Sequence, residues 1–414
     1  MRSQSVLFWL VATACSPARA LLIVGPEGKP MALYGTAHVH ARDKPARGYT
    51  GEPVAHGYPS DSIAENLAKT ARVTLQKSYA KPGSAFRVHY DTLGTNAPPM
   101  ADLDASGVPA WVELAANSAD SVLNQYFLMG YDVALKDLGT GGDVRYDIYL
   151  RNLAPQYVYG LTYSGSDGYM EIDNDFAESI YAYPEVFDSR GARGLRVTLA
   201  HEMFHSIQFL YVSYQSTWAW WMEMTATFME EMLCSEVNDY YQYFNPQWYK
   251  DTVSENPALG LASFASGSVH PYSGMVFPLF LAQRFGQPAL NGIRKTFENK
   301  NLGVSLIVTA LQDSTGVLMR DLLTEFWIWS YFSGDRYRPQ FFEEGARYIP
   351  APLDSTQYAS SAARFTLRDI SSIGDTTVTD TTAFLGARLV RVVPDGKANA
   401  VTVSMTGIGT YAGQ

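Results

Sequence analysis

The stretch VTLAHEMFHSIQ at residues 197–208 decides how the rest of this sequence is interpreted. Its apolar residues recur at the spacing of a helix that buries one face, which predicts a helix over 195–211. His201 and His205 are four positions apart, so this helix presents both imidazoles on one face. Each imidazole can then offer a nitrogen to one zinc ion at about 2.0–2.1 Å. The alternative is a helix with two incidental surface histidines.

Glu202 directly follows the first of these histidines and lies beside the predicted metal. From there it can take a proton from zinc-bound water and pass it to a leaving amine, the general-base role of the H-E-x-x-H pattern. In this interpretation zinc also polarises the scissile carbonyl of a peptide. Replacing Glu202 is therefore expected to abolish turnover.

A hydrolytic zinc site needs a third protein ligand and one open position for water. We predict a second helix over 220–233, which returns antiparallel to the first after a short turn. Glu223 near its start is the expected third ligand. Glu230 and Glu231 are rivals, but they lie about two turns further on, roughly 10 Å past the site. We expect one of those two to hydrogen-bond to a histidine instead.

The stretch 197–208, taken together with WMEMTATFME at 221–230, resembles the gluzincins and, more narrowly, a family of exported bacterial metalloproteases. The similarity covers roughly residues 86–349. It implies a zincin-like fold and zinc ligation by His201, His205 and Glu223, with Glu202 as the catalytic base. Weaker landmarks of the same family are Tyr90–Thr92, Asp102–Glu113, Tyr146–Leu150, Ile172–Asp175 and Phe332–Arg336.

The tetrahedral intermediate of such a reaction carries an oxyanion that needs a hydrogen-bond donor. Tyr272 is the preferred candidate because a neutral phenol can donate without competing for the metal. His270 is close to it in the sequence, and Tyr240 or Tyr241 could serve the same purpose. Ordinary packing remains the alternative for each of these residues.

A second metal site is predicted at residues 102–113, where oxygen-bearing side chains follow the spacing of a calcium loop. The alternative is a polar turn that caps a helix beginning near Trp111. Asp173–Asp175 is a weaker candidate of the same kind. The calcium ligands would be the side chains of Asp102, Asp104, Ser106 and Glu113 and the carbonyl of Val108.

The composition bounds the partners of this protein. The net charge of −10 argues against nucleic acid or an anionic membrane as a partner, because both require basic surfaces. With 47% hydrophobic and only 17% charged residues, the chain is expected to fold rather than remain disordered. The expected partner is a peptide or protein substrate. No stretch after the N-terminus predicts a transmembrane helix.

Residues 1–20 predict a signal peptide, because a basic start is followed by an apolar run over 6–14 and by Ala18-Arg19-Ala20. We therefore expect a secreted or extracellular protein. The alternatives are a first buried strand, a membrane anchor, for which the apolar run is too short, and a lipoprotein tether through Cys15. Cys234 then has no disulfide partner, so the core and metals must supply the stability.

The chain divides into four predicted parts within an α+β fold. After the signal peptide, residues 21–80 form an N-terminal segment or pro-region. Residues 81–350 form the zinc metallopeptidase domain, a small sheet beside the metal-binding helices. Residues 351–414 form a β-rich module that we expect to be incomplete. The strands are predicted at 86–90, 146–150 and 169–174, and further helices at 61–79, 112–135, 276–285 and 321–332.

Two other functional classes remain open on the sequence alone. An exported binding or surface protein could keep the metal only for structure, which a fourth protein ligand or the lack of a cleft would favour. A zinc amidase acting on cell-wall material would use the same chemistry as a protease. The sequence does not separate the amidase from the protease.

Overall fold

The protein is described here by a computed structural model. It describes residues 72–135, 137–163, 167–183, 186–213, 217–244, 252–253, 259–264, 268–298 and 303–348, together with residue 385 and the backbone of five short strands nearer the two ends.

The described strands are short. They are β1 Phe8–Thr13, β2 Leu22–Val24, β3 Pro30–Met31, β4 Lys77–Tyr79, β5 Phe86–Tyr90, β6 Tyr146–Arg151, β7 Gly160–Tyr163, β8 Tyr169–Asp173, β9 Ala182–Tyr183, β10 Phe187–Asp188, β11 Arg368–Ile370 and β12 Ala387–Val392.

The described helices lie between residues 110 and 331. They are α1 Ala110–Leu128, α2 Ala192–Tyr211, α3 Ala219–Cys234, α4 His270–Ser273, α5 Val276–Phe285, α6 Gln287–Glu298, α7 Val304–Thr315 and α8 Met319–Tyr331. Short 3-10 turns include Asp239–Phe244, which follows α3.

A five-stranded mixed sheet in the order β4-β5-β6-β8-β7 supports the predicted metal helices. Strands β5, β6 and β8 run parallel, and the two edge strands are antiparallel to their neighbours. The strand β8 is buried at every position, as expected for a central strand covered on both faces. Helix α2 packs against β7 and β8 as well as against α1 and α3. The edge strand β7 is thereby brought directly beside the H-E-x-x-H segment.

Helix α3 is buried around its whole circumference over Ala219–Glu230, which is typical of a helix at the centre of a large core. Small side chains let it approach α2 closely, among them Ala226. Two buried hydrogen bonds join the helices to their surroundings. Tyr126 of α1 donates to the carbonyl of Ala200 at 2.6 Å, and the Trp221 indole donates to Thr296 at 2.8 Å.

The α+β class and the three predicted strands near residues 86, 146 and 169 are confirmed. The helix predicted over 112–135 ends at Leu128, because Gly130 takes a left-handed conformation with a φ of 87°. The prediction of a helix over 61–79 is wrong at its described end. There Lys77–Tyr79 pairs with β5 as an edge strand, since pairing with a sheet overrides local propensity.

A second sheet joins the two ends of the chain in the order β11-β12-β1-β2-β3. Strand β1 lies within the segment predicted as a signal peptide, and β12 lies within the predicted β-rich module. The removal of residues 1–20 and the independence of the module both stay predictions. Near the other predicted boundary, Arg72 forms ion pairs with Asp137 and Asp147 of the main domain.

Candidate metal centre

Helices α2 and α3 bring the three predicted zinc ligands together in the core. The Nε2 atoms of His201 and His205 lie 3.0 Å apart. Glu223 Oε2 lies 3.3 Å from the first nitrogen and 3.4 Å from the second. All three residues are at least nine-tenths buried, with exposed fractions of 5%, 0% and 1%. Three potential ligand atoms thus form a nearly equilateral triangle.

This triangle has the dimensions of one face of a zinc tetrahedron. For bonds of about 2.0–2.1 Å, tetrahedral ligands are about 3.3 Å apart. Glu223 Oε2 is buried and makes no hydrogen bond of ordinary geometry, although it is close to both imidazole nitrogens. An orphaned buried carboxylate oxygen is costly, and a metal ion removes that cost. The residues therefore fit a zinc ion.

The other nitrogen of each imidazole is fixed by a hydrogen bond. Nδ1 of His201 lies 2.6 Å from Glu230 Oε1, and Nδ1 of His205 lies 2.8 Å from Gln208 Oε1. The amide of Gln208 in turn donates to the Met222 carbonyl at 3.1 Å. These contacts direct both Nε2 atoms toward the centre. The expectation that Glu230 or Glu231 contacts a histidine is confirmed for Glu230.

Glu202 is held where helix α2 meets the edge strand β7. The Thr162 hydroxyl donates to Glu202 Oε2 at 2.7 Å and is 2.8 Å from the Glu202 carbonyl oxygen. Burial raises the pKa of the Glu202 carboxyl above its ordinary value. A Cβ atom added at Gly160 would lie 2.7 Å from Glu202 Cγ, so only glycine allows this close approach. The H-E-x-x-H spacing predicts Glu202 but neither residue of β7.

Tyr272 lies beside the centre, as the sequence analysis expected of an oxyanion donor. Its ring stacks at 6.2 Å from the ring of His201 and at 5.2 Å from the ring of Tyr243. Two of the three alternatives, His270 and Tyr240, have other contacts. His270 Nε2 is 2.8 Å from the Gly260 carbonyl, and Tyr240 donates to Glu344 at 2.7 Å. The catalytic role of Tyr272 stays a prediction.

The predicted calcium loop is exposed on the surface before α1. Its carboxylates accept backbone hydrogen bonds: Gly107 N–H donates to Asp102 at 2.8 Å, and Ser106 N–H donates to Asp104 at 3.1 Å. Glu113 lies in the first turn of α1. Within residues 102–113, all of which are described, the acidic side chains do not gather their oxygens within 4.8 Å as a group. Calcium binding by Asp102, Asp104, Ser106, Val108 and Glu113 stays a prediction.

A second acidic cluster follows β8. Carboxylate oxygens of Asp173, Asp175 and Glu178 lie within 4.8 Å of one another. Asp173 already accepts backbone hydrogen bonds from Leu153 at 2.8 Å and Ala154 at 3.1 Å. These bonds explain its burial as part of the turn that ends the strand.

Comparisons of this chain with protein-family models and with curated proteins find no match. No helix in the described part of the chain has both the length and the apolar character needed to cross a membrane.

Proposed function

We propose that this protein is a zinc-dependent hydrolase that cleaves peptide bonds, with Glu202 as the general base. The proposal depends chiefly on one observation: three ligand atoms from His201, His205 and Glu223 lie 3.0–3.4 Å apart beside a buried carboxylate. Two imidazoles and one carboxylate form a ligand set typical of catalytic zinc. When bound there, zinc supplies Lewis acidity, which acidifies water and polarises a carbonyl.

Glu202 is suited to moving the proton. The Thr162 hydroxyl occupies its Oε2 atom, which leaves Oε1 to accept a proton from the attacking water. The same oxygen then gives the proton to the nitrogen of the leaving amine. Because burial raises its pKa, this carboxyl is a better proton acceptor than an exposed glutamate.

The edge strand β7 favours a peptide as the substrate. It pairs with β8 on one side, and its other side has no strand partner among the described residues. An extended peptide can add to such an edge through backbone hydrogen bonds. Since Gly160 and Thr162 of this strand touch Glu202, a peptide bound there lies next to the base.

The ligand count favours catalysis over a purely structural metal. Structural zinc sites usually have four protein ligands, whereas catalytic sites have three and leave one position open. Among the described residues, the group around His201 contains three metal-binding side chains. An amidase with a different amide substrate is the second candidate, supported by the same ligand set but not by the free edge of β7.

Metal content and peptidase activity of the wild type and Glu202→Gln test this proposal. We expect one zinc ion per chain in both proteins, because Glu202 is not a ligand. Activity in the variant should fall by about 10²–10⁴-fold, the contribution typical of a general base. Glu298→Gln, an exposed change on α6, is the matched control and should retain full activity. Zinc binding without peptide cleavage by the wild type would reject the protease, and absence of zinc would reject the hydrolase altogether.

A further inference from the structure

A small cavity lies on the side of the candidate centre toward the start of α2. Its volume is about 20 Å³, enough for one group the size of a water molecule. Glu202 borders both this cavity and the metal centre. The lining includes the predicted zinc ligand His201 together with Thr198, Glu202, Glu230, Asp239 and Tyr243.

Two oxygen atoms in this lining have unused hydrogen-bonding capacity. Thr198 Oγ1 and Glu230 Oε2 are both buried, and neither has a hydrogen-bond partner in the described structure. The two residues are 3% and 6% exposed. Buried polar atoms without a partner are rare because they lose the bonds that water would make. Two residues with such atoms in the lining of one cavity favour an occupant that donates hydrogen bonds.

The charges around the cavity favour a cationic occupant. Among the described residues, neither Glu230 nor Asp239 pairs with a lysine or an arginine, and the basic contact of Glu230 is with His201 at 2.6 Å. The polar partners of Asp239 are neutral: the Ser189 hydroxyl and the Gln242 amide, which donates at 2.6 Å. Asp239 is only 3% exposed. A buried carboxylate that lacks a cationic partner is complementary to a ligand that carries one.

The walls of the cavity add to this preference. Tyr159 and Tyr243 both line it, and aromatic rings attract a cation close to their faces. The size of the cavity selects among cations. An ammonium group is about as large as water and has three donors, whereas a guanidinium is a broader planar fork with five.

We propose that this cavity binds the primary ammonium group of the substrate, either a lysine side chain or a free N-terminus. The inference depends on the proposed function, because the bound ammonium lies beside Glu202 and places a neighbouring peptide bond at the catalytic centre. If a lysine side chain is the source, lysine should be preferred over arginine. Asp239 is the residue to change, because Glu230 also holds His201.

Calorimetric titration of the zinc-loaded full chain carrying Glu202→Gln tests the inference without turnover. Three probes share one alanine-based sequence: an acetylated peptide with lysine, its norleucine counterpart, and the norleucine peptide with a free N-terminus. One of the two ammonium peptides should bind about 10- to 100-fold more tightly than the acetylated norleucine peptide. The tighter of the two identifies the source of the ammonium group.

Adding Asp239→Asn should remove this preference, whereas the exposed control Asp321→Asn should keep it. If the asparagine variant does not fold, Thr198→Val removes another lining oxygen and should weaken the same preference.

Equal binding of all three peptides, or binding of none, overturns the inference and leaves the cavity to water. Cleavage of all three peptides at equal rates by the wild type would keep the protease while rejecting ammonium recognition. Selective binding without cleavage would keep ammonium recognition while rejecting the protease.

Discussion

Individual side chains that contact the proposed metal ligands determine how well the candidate centre is preorganised. Glu230 holds His201 through a contact of 2.6 Å, and Gln208 holds His205 through one of 2.8 Å. We predict that Gln208→Ala lowers zinc affinity by about 10- to 100-fold, because the freed imidazole must be ordered when the metal binds. Competition with a chromogenic chelator measures the loss.

Gln283→Ala changes the same residue type far along the chain and is the control for that measurement. Its amide oxygen accepts only a surface hydrogen bond from Glu343 N–H at 3.3 Å. Zinc affinity should be unchanged in this variant. A Gln208→Ala protein that binds zinc as tightly as the wild type would show that helix packing alone orients the imidazole.

The sequence predicts the residues of the site that interact along one helix better than those that come from elsewhere. His201, Glu202 and His205 follow from spacing on α2, and Glu223 follows from the need for a third ligand. Gln208 also lies on α2, three positions after His205, and this spacing could have identified it. Thr162 and Asp239 give no such signal, because tertiary structure alone brings them to the centre.

The proposed catalysis depends on the contact between strand β7 and helix α2. A Cβ at residue 160 would lie 2.7 Å from both Glu202 Cγ and Thr198 Cγ2. We predict that Gly160→Ala displaces β7 or the Glu202 side chain and destabilises the protein by about 1–3 kcal/mol. Peptidase activity should fall by more than the loss of stability accounts for, while zinc remains bound.

Gly303→Ala provides the control for activity, because a Cβ added there meets nothing within 4 Å. Peptidase rates and zinc content should both match those of the wild type. If Gly160→Ala kept full activity, the proximity of β7 to Glu202 would be irrelevant to turnover.

Element prediction is most accurate where apolar residues mark a buried element. Helix α5 has the bounds predicted from its apolar spacing, 276–285. Strand β4 was mistaken for helix because residues 77–79 have no periodicity of their own and become a strand only by pairing with β5. Sequence periodicity records burial, whereas an exposed edge strand is defined by its partner.

At the scale of the whole molecule, a partly buried network of ion pairs connects Arg72 to the sheet. Arg72 Nη2 lies 3.1 Å from Asp137 and 3.0 Å from Asp167, and the guanidinium also pairs with Asp147. Asp147 in turn lies 2.8 Å from His89 Nε2. The segment just before β4 is therefore integrated into the domain that carries the candidate metal centre, although the sequence predicted a domain beginning at residue 81.

Removing the one arginine of this network should be far more damaging than removing a surface arginine. Arg72→Met leaves the buried carboxylates of Asp137 and Asp147 without their shared cation, which is expected to lower the free energy of unfolding by about 3–5 kcal/mol. Arg190→Met breaks an exposed pair with Asp188 and should lower the free energy of unfolding far less, because solvent screens this pair. Urea unfolding of both variants gives the comparison. Equal, small losses would mean that residues near 72 can be removed without harm, and the pro-region could then extend to residue 80.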